Sequence, residues 1–280
     1  MSTSRNEAEE KGDEAFINAD QHGKSCSDMF MPRKIWGGWK LGLKVLNLHK
    51  NVLGPEHPDT LTSMANLART YAEQGKYEEA GELKLKVLDL NTKVLGPQHP
   101  GTLTSMNNLA LTYLVKEKYE EARELGLKVL YLLKKVLGPE HPDTLTSMNN
   151  LAVTYSGQEK YGEAVELKLK VLALHKKMWG PEHPDTLTSM ANLAVTYACQ
   201  GKYEEAGELH LNVLDLSKKV QGPEHPDTLT RMANLAVSYS AQEKYEQAEE
   251  LQLKVLDFSR KVLGPEFPDT LTRMANLAAM

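Results

Sequence analysis

Apolar residues recur at spacings of three and four along most of the chain, interrupted at regular points by glycine, proline and charged clusters. Between Pro58 and Gln74, the residues Leu61, Met64, Leu67, Ala68 and Tyr71 fall on one side of a helix. Pro58 suits the first turn, where a missing N–H has no intrahelical partner to lose, and Asp59 sits near the positive end of the helix dipole. Gly75 predicts a left-handed stop. A second helix is predicted from Tyr77 to Leu95, with Tyr77, Ala80, Leu83, Val87, Leu88 and Val94 inward. Glu78, Glu79, Lys84 and Lys86 then form a solvated face. Gly96-Pro97 ends that helix, because proline disfavours helix in the residue before it.

The same pattern returns every 42 residues. Gly-Pro occurs at Gly54, Gly96, Gly138, Gly180, Gly222 and Gly264, and Asn-Leu-Ala starts at Asn66, Asn108, Asn150, Asn192, Asn234 and Asn276. Five full units span residues 59–268, flanked by half units at 34–58 and 269–280. A pair of helices cannot bury its apolar faces alone, whereas stacked pairs bury them together, so the period predicts an all-α solenoid of antiparallel helix pairs. Local imperfections are expected. Gly81, Gly126 and Gly207 fall inside second helices, at about 1 kcal/mol each relative to alanine. Glu117, Glu159 and Glu243 replace the turn glycine, at about 1 kcal/mol each if left-handed. Residues 1–33 do not follow the repeat: Lys24-Ser25-Cys26 stands where Asn-Leu-Ala would fall. Their polar composition predicts disorder.

Composition narrows the function. A 41% hydrophobic content supports a core, and a net charge of −5 from 33 basic and 38 acidic residues offers no electrostatic footprint for nucleic acid. No stretch approaches the roughly 18 apolar residues of a membrane helix, and no secretory signal opens the chain. Cys26 and Cys199 cannot build a disulfide framework. The expectation is a soluble cytoplasmic protein with reduced thiols, no membrane and no nucleic-acid partner. No nucleophile elbow, zinc motif or phosphate loop occurs, so no catalytic residue, metal ligand or cofactor is assigned. The loop histidines His57, His99, His141, His183 and His225 are separated by whole repeats, about 10 Å, too far to share a metal.

Three motifs carry a family resemblance over residues 34–280: Asn-Leu-Ala-x-x-Tyr, Gly-Lys-Tyr-x-x-Ala and Val-Leu-Gly-x-x-His-Pro-Asp. They resemble the tetratricopeptide repeat in its 42-residue form, as in kinesin light chains. The phrase Leu-Gly-Pro-Glu-His-Pro-Asp-Thr-Leu-Thr-Ser-Met is similar to repeats of fungal NB-ARC receptors. The resemblance implies a right-handed solenoid and a non-enzymatic scaffold that binds an extended or helical protein segment in its concave groove. It implies, as the alternative, the sensing and assembly segment of an NB-ARC-type receptor. It further implies that the asparagine before each Leu-Ala faces the groove and bonds a peptide backbone, which needs both the donor and the acceptor of a carboxamide. The candidate groove residues are Asn66, Asn108, Asn150, Asn192 and Asn234, with Asn107, Asn149 and Arg69 as varying neighbours. The competing reading is that each asparagine bonds the adjacent repeat. Threonine at Thr62, Thr104, Thr146, Thr188 and Thr230 argues against a basic clamp for a terminal carboxylate, although Arg231 and Arg273 could supply a basic end. Cys199 is read as a small groove or surface residue. The two flanking half units together resemble one missing unit, so head-to-tail self-association is an expected outcome alongside membership of a longer array.

Overall fold

The computed structural model describes residues 38–262 and residue 264, with side chains from Lys40 onward. The expectations for residues 1–33, for the closing half unit 269–280 and for Arg273 lie outside the described residues. Eleven helices make up 83% of what is described, with no strand among the described residues. In chain order they are α1 (Gly38–Leu53), α2 (Pro58–Glu73), α3 (Tyr77–Leu95), α4 (Pro100–Val115), α5 (Tyr119–Val136) and α6 (Pro142–Gly157). The remainder are α7 (Tyr161–Trp179), α8 (Pro184–Cys199), α9 (Tyr203–Gln221), α10 (Pro226–Ala241) and α11 (Tyr245–Val262). Even-numbered helices are the first helices of their units and odd-numbered ones the second. Each helix packs on the next in sequence, and the first helices α4 and α6 also touch directly. The result is the α-solenoid of antiparallel helix pairs that the period predicts.

His-Pro-Asp proves to be a capping device. The Nδ1 of His57, His99, His141, His183 and His225 accepts the backbone N–H two residues on, at 3.1–3.2 Å, and proline takes the first turn. Second helices have no side-chain cap at Lys76, Lys118, Lys160 or Lys202. They begin with glutamates such as Glu78 and Glu79 and end with lysines such as Lys93, which complements the dipole. The turns between partners are left-handed, as expected: φ is 74° at Gly75 and 57°, 60° and 60° at Glu117, Glu159 and Glu243.

The core repeats with the chain. Leu61, Met64 and Leu67 of α2 pack with Leu46 of α1 and Val87 of α3, and the corresponding leucines, methionines and valines recur in every later unit. A buried threonine fixes four of the long loops: Thr60, Thr102, Thr144 and Thr186 donate to the carbonyls of Gly54, Gly96, Gly138 and Gly180 at 2.8 Å. Ion pairs tie three of the loops to the end of the following second helix, with Glu140–Lys177 and Glu182–Lys219 at 2.5 Å and Glu56–Lys93 in the same register.

Two inward assignments change. Val94 is 43% exposed rather than inner, because it lies near the end of α3. Lys84 turns inward rather than into solvent, for reasons given below. The helix glycines are not all imperfections either. A Cβ at Gly126 would come within 3.2 Å of Leu151 Cδ1, so glycine there permits close packing of α5 on α6.

Candidate peptide-binding groove

From Thr60 to Ala72, and at the matching positions of the other four first helices, there is no aspartate or glutamate. The face these helices share is therefore uncharged apart from Arg69 and Arg231. Arg69 lies 3.8 Å from Glu73 of its own helix, so its charge is locally answered. Within this face the asparagine ladder is accessible: Asn66 and Asn108 are exposed and Asn150, Asn192 and Asn234 half-buried. Among the described residues, none of the five carboxamides bonds a neighbouring repeat. Their backbone carbonyls are heavily used instead. Thr70, Thr112, Thr154 and Thr196 each donate a hydroxyl to the asparagine carbonyl one turn back, at 3.1–3.2 Å. The backbone under the ladder is thus anchored while the carboxamides stay available.

The varying neighbours differ. Asn107 is half-buried, and its Oδ1 is shielded from solvent without a hydrogen-bond partner. Asn149 and Asn192 meet across a cleft of about 230 Å³ between α6 and α8. Pro142, Leu145, Thr146, Thr188 and Asp185 line its sides, and His175 and Trp179 of α7 form its floor. Trp179 packs between His175 and His183, with ring centroids 4.7 and 5.0 Å away. At that register the preceding units carry Leu95 and Leu137, so the aromatic floor belongs to this cleft alone among those three. One unit on, Arg231 reaches across from α10 and donates to Thr188 Oγ1 at 2.9 Å. Burial lowers its pKa, and the Asp227 charge on the same helix opposes that shift.

Beneath the ladder runs a register of second-helix residues, Lys84, Gly126, Lys168 and His210, of which Lys84 is not on the solvated face that the sequence predicts. Lys84 Nζ donates to the Asn108 carbonyl at 3.2 Å and to Thr112 Oγ1 at 2.7 Å. Lys168 Nζ donates to the Asn192 carbonyl at 2.8 Å and is 6% exposed. With no carboxylate nearby, burial pushes the Lys168 ammonium down to about 8 and lowers Lys84 as well. His210 bonds Ser238 at 2.8 Å, and burial together with the Arg231 charge pushes it down to about 4. A signal was present. A register that alternates lysine with glycine and histidine is not behaving as a solvated face.

The tetratricopeptide-repeat profile matches residues 40–84, 70–125, 108–177 and 185–261. The chain belongs to the tetratricopeptide-repeat family. Kinesin light chain-like proteins of nearly identical repeats from Podospora anserina are similar to it, at 36% identity over 74% of this chain and 98% of theirs. Their TM-scores are 0.64 and 0.62. BtubC from P. vanneervenii shares the fold at 18% identity, with TM-score 0.64 over 82% of this chain and 92% of that one. A signal-transduction ATPase with a tetratricopeptide repeat sensor, from Pyrococcus horikoshii, also shares it at 19% identity and TM-score 0.62. This chain covers 36% of that protein, which covers 87% of this one. No curated protein matches significantly.

Tetratricopeptide repeats are protein-interaction scaffolds, a typically non-enzymatic family. Among the described residues no three His, Cys, Asp or Glu side chains gather as metal ligands, and no helix is long and apolar enough to cross a membrane. Cys199 closes α8 and is half-buried.

Proposed function

We propose that the first-helix face is a groove that holds an extended or helical segment of a protein partner through the asparagine ladder. One observation carries the reading: the five ladder carboxamides have no bonding role within the described array, although threonine bonds hold the backbone of four of them, Asn66, Asn108, Asn150 and Asn192. A carboxamide held on a rigid helix can donate to a partner carbonyl and accept from a partner N–H. The ladder therefore grips main chain regardless of sequence. Discrimination falls to the varying positions, namely Asn107, Asn149, the His175–Trp179 cleft and Arg231. Arg69, with its local carboxylate, contributes at the first end. A second reading, the sensing segment of a larger NB-ARC-type receptor, draws on the tetratricopeptide sensor of the Pyrococcus ATPase. It uses the same groove and differs in what the chain is attached to.

The test uses a twelve-residue peptide selected from a random display library on the 280-residue chain. Changing Asn108, Asn150 and Asn192 together to alanine should weaken that peptide more than tenfold in calorimetry, since each hydrogen bond contributes about 0.5–1.5 kcal/mol. Helicity by circular dichroism should be unchanged. Unaltered affinity, or a loss of helicity, rejects the ladder.

A further inference from the structure

We propose that one face of α1 is a docking surface for a second copy of this chain, which supplies residues 268–278 as the first helix that α1 matches. α1 is a second helix by sequence: Leu43-Lys44-Val45-Leu46-Asn47-Leu48 corresponds to Leu85-Lys86-Val87-Leu88-Asp89-Leu90 of α3. Its residues Leu41, Val45, Leu48 and Val52 form one helical stripe. In every later unit the first three positions of this stripe pack on that unit's own first helix. Leu83 and Leu90 do so in α3, Leu125 and Leu132 in α5, Leu167 and Leu174 in α7, and Leu209 and Leu216 in α9. The valine equivalent to Val45 is 4% exposed or less in all five (Val87, Val129, Val171, Val213, Val255), whereas Val45 is only half-buried. Leu41 and Leu48 are 65% and 61% exposed, and Val52 is 76% exposed against 43% and 40% at its equivalents Val94 and Val136. An apolar stripe of that kind marks an interaction site.

The occupant is identified by sequence. Residues 268–278, Pro-Asp-Thr-Leu-Thr-Arg-Met-Ala-Asn-Leu-Ala, repeat residues 226–236 of α10 without a difference. In α10, Met232 and Leu235 pack against Val255 of its second helix, with Leu251 and Phe258 against the same cluster. Met274 and Leu277 stand at the positions of Met232 and Leu235, so the segment carries the apolar residues that complement this stripe. Residues 1–33 carry no such sequence. Seated on the α1 of another copy, the segment continues the array across the junction with the same contacts as inside it. The contact is heterologous and need not close, so it builds chains of copies rather than a fixed dimer.

Sedimentation velocity of the 280-residue chain over a wide concentration range tests this. The wild type should show a sedimentation coefficient that climbs with concentration. Leu48→Glu with Val52→Glu, both at exposed positions that do not threaten folding, should abolish the climb. So should Met274→Glu with Leu277→Glu. Mixing the two doubly substituted proteins leaves one intact face on each, so the mixture should form a 1:1 dimer and nothing larger. A wild type that stays monomeric throughout overturns the proposal. So does association that survives in either variant, as it would if two α1 stripes met each other, and so does a mixture that remains monomeric.

Discussion

Lys168→Met at neutral pH should make the array more stable, although it removes a hydrogen bond. Lys168 is 6% exposed, its ammonium has no carboxylate partner, and burial pushes its pKa down from 10.5 to about 8. A difference of that size means that keeping the lysine charged in the folded state costs about 3 kcal/mol. Methionine is close to lysine in length and carries no charge to desolvate. It forfeits the bond to the Asn192 carbonyl, about 1 kcal/mol. That carbonyl keeps the hydroxyl of Thr196, so no buried acceptor is orphaned. The net expectation is a gain of about 2 kcal/mol at pH 7. The gain must also depend on pH with a definite sign. Between about 8 and 10.5 the unfolded lysine holds its proton and the folded one does not. Wild-type stability therefore rises through that window, and the advantage of the variant disappears by its upper end. Urea unfolding followed by circular dichroism at pH 7 and pH 10.5 measures both. A loss of stability at pH 7 would show that the amine is a net stabilising strut, and a gain that persists at pH 10.5 would show that desolvation of its charge is not the cause.

The remaining expectations are quickly stated. Glu117→Gly, Glu159→Gly and Glu243→Gly should each raise the unfolding midpoint. Each relieves about 1 kcal/mol of left-handed strain, part of which is offset by the freer unfolded chain. Alanine at the same three sites, which keeps the strain, should give no gain, and an equal gain from alanine would refute the backbone argument. His210 should make the array acid-sensitive. Its pKa is lowered to about 4 from 6.5, so the unfolded state takes up a proton first and stability falls between those values by about 3 kcal/mol. His210→Asn should flatten that part of the pH–stability curve, and an unaltered curve would exclude the histidine. Gly126→Ala should cost stability beyond its helix-propensity benefit, because the added Cβ meets Leu151 Cδ1 at 3.2 Å; a thermal melt that moves upward would contradict this.

The fold was almost wholly legible because an unbroken 42-residue period leaves few alternatives to stacked helix pairs. Local chemistry agreed with it: histidine and proline open the first helices, and left-handed turns close them even where glutamate replaces glycine. What escaped was the direction of long polar side chains. Lys84 and Lys86 look alike in sequence, yet Lys84 lies at the junction with the next first helix, where backbone carbonyls can receive it. The α6–α8 cleft escaped for a related reason. It depends on Trp179 and His175 of one helix meeting Asn149 and Asn192 of two others, and no single unit contains that juxtaposition. The ladder was visible as a register, but whether its carboxamides were engaged by neighbouring repeats could be read only from the packed array.

The central claim is that those carboxamides are the partner's contact, and side-chain amide NMR tests it directly. With a display-selected peptide added to the 280-residue chain, the NH₂ resonances of Asn108, Asn150 and Asn192 should shift saturably together. Asn91, whose Nδ2 already donates to Ser105 Oγ at 2.8 Å in a buried site, should not move. Binding that leaves the three ladder resonances in place would contradict the account.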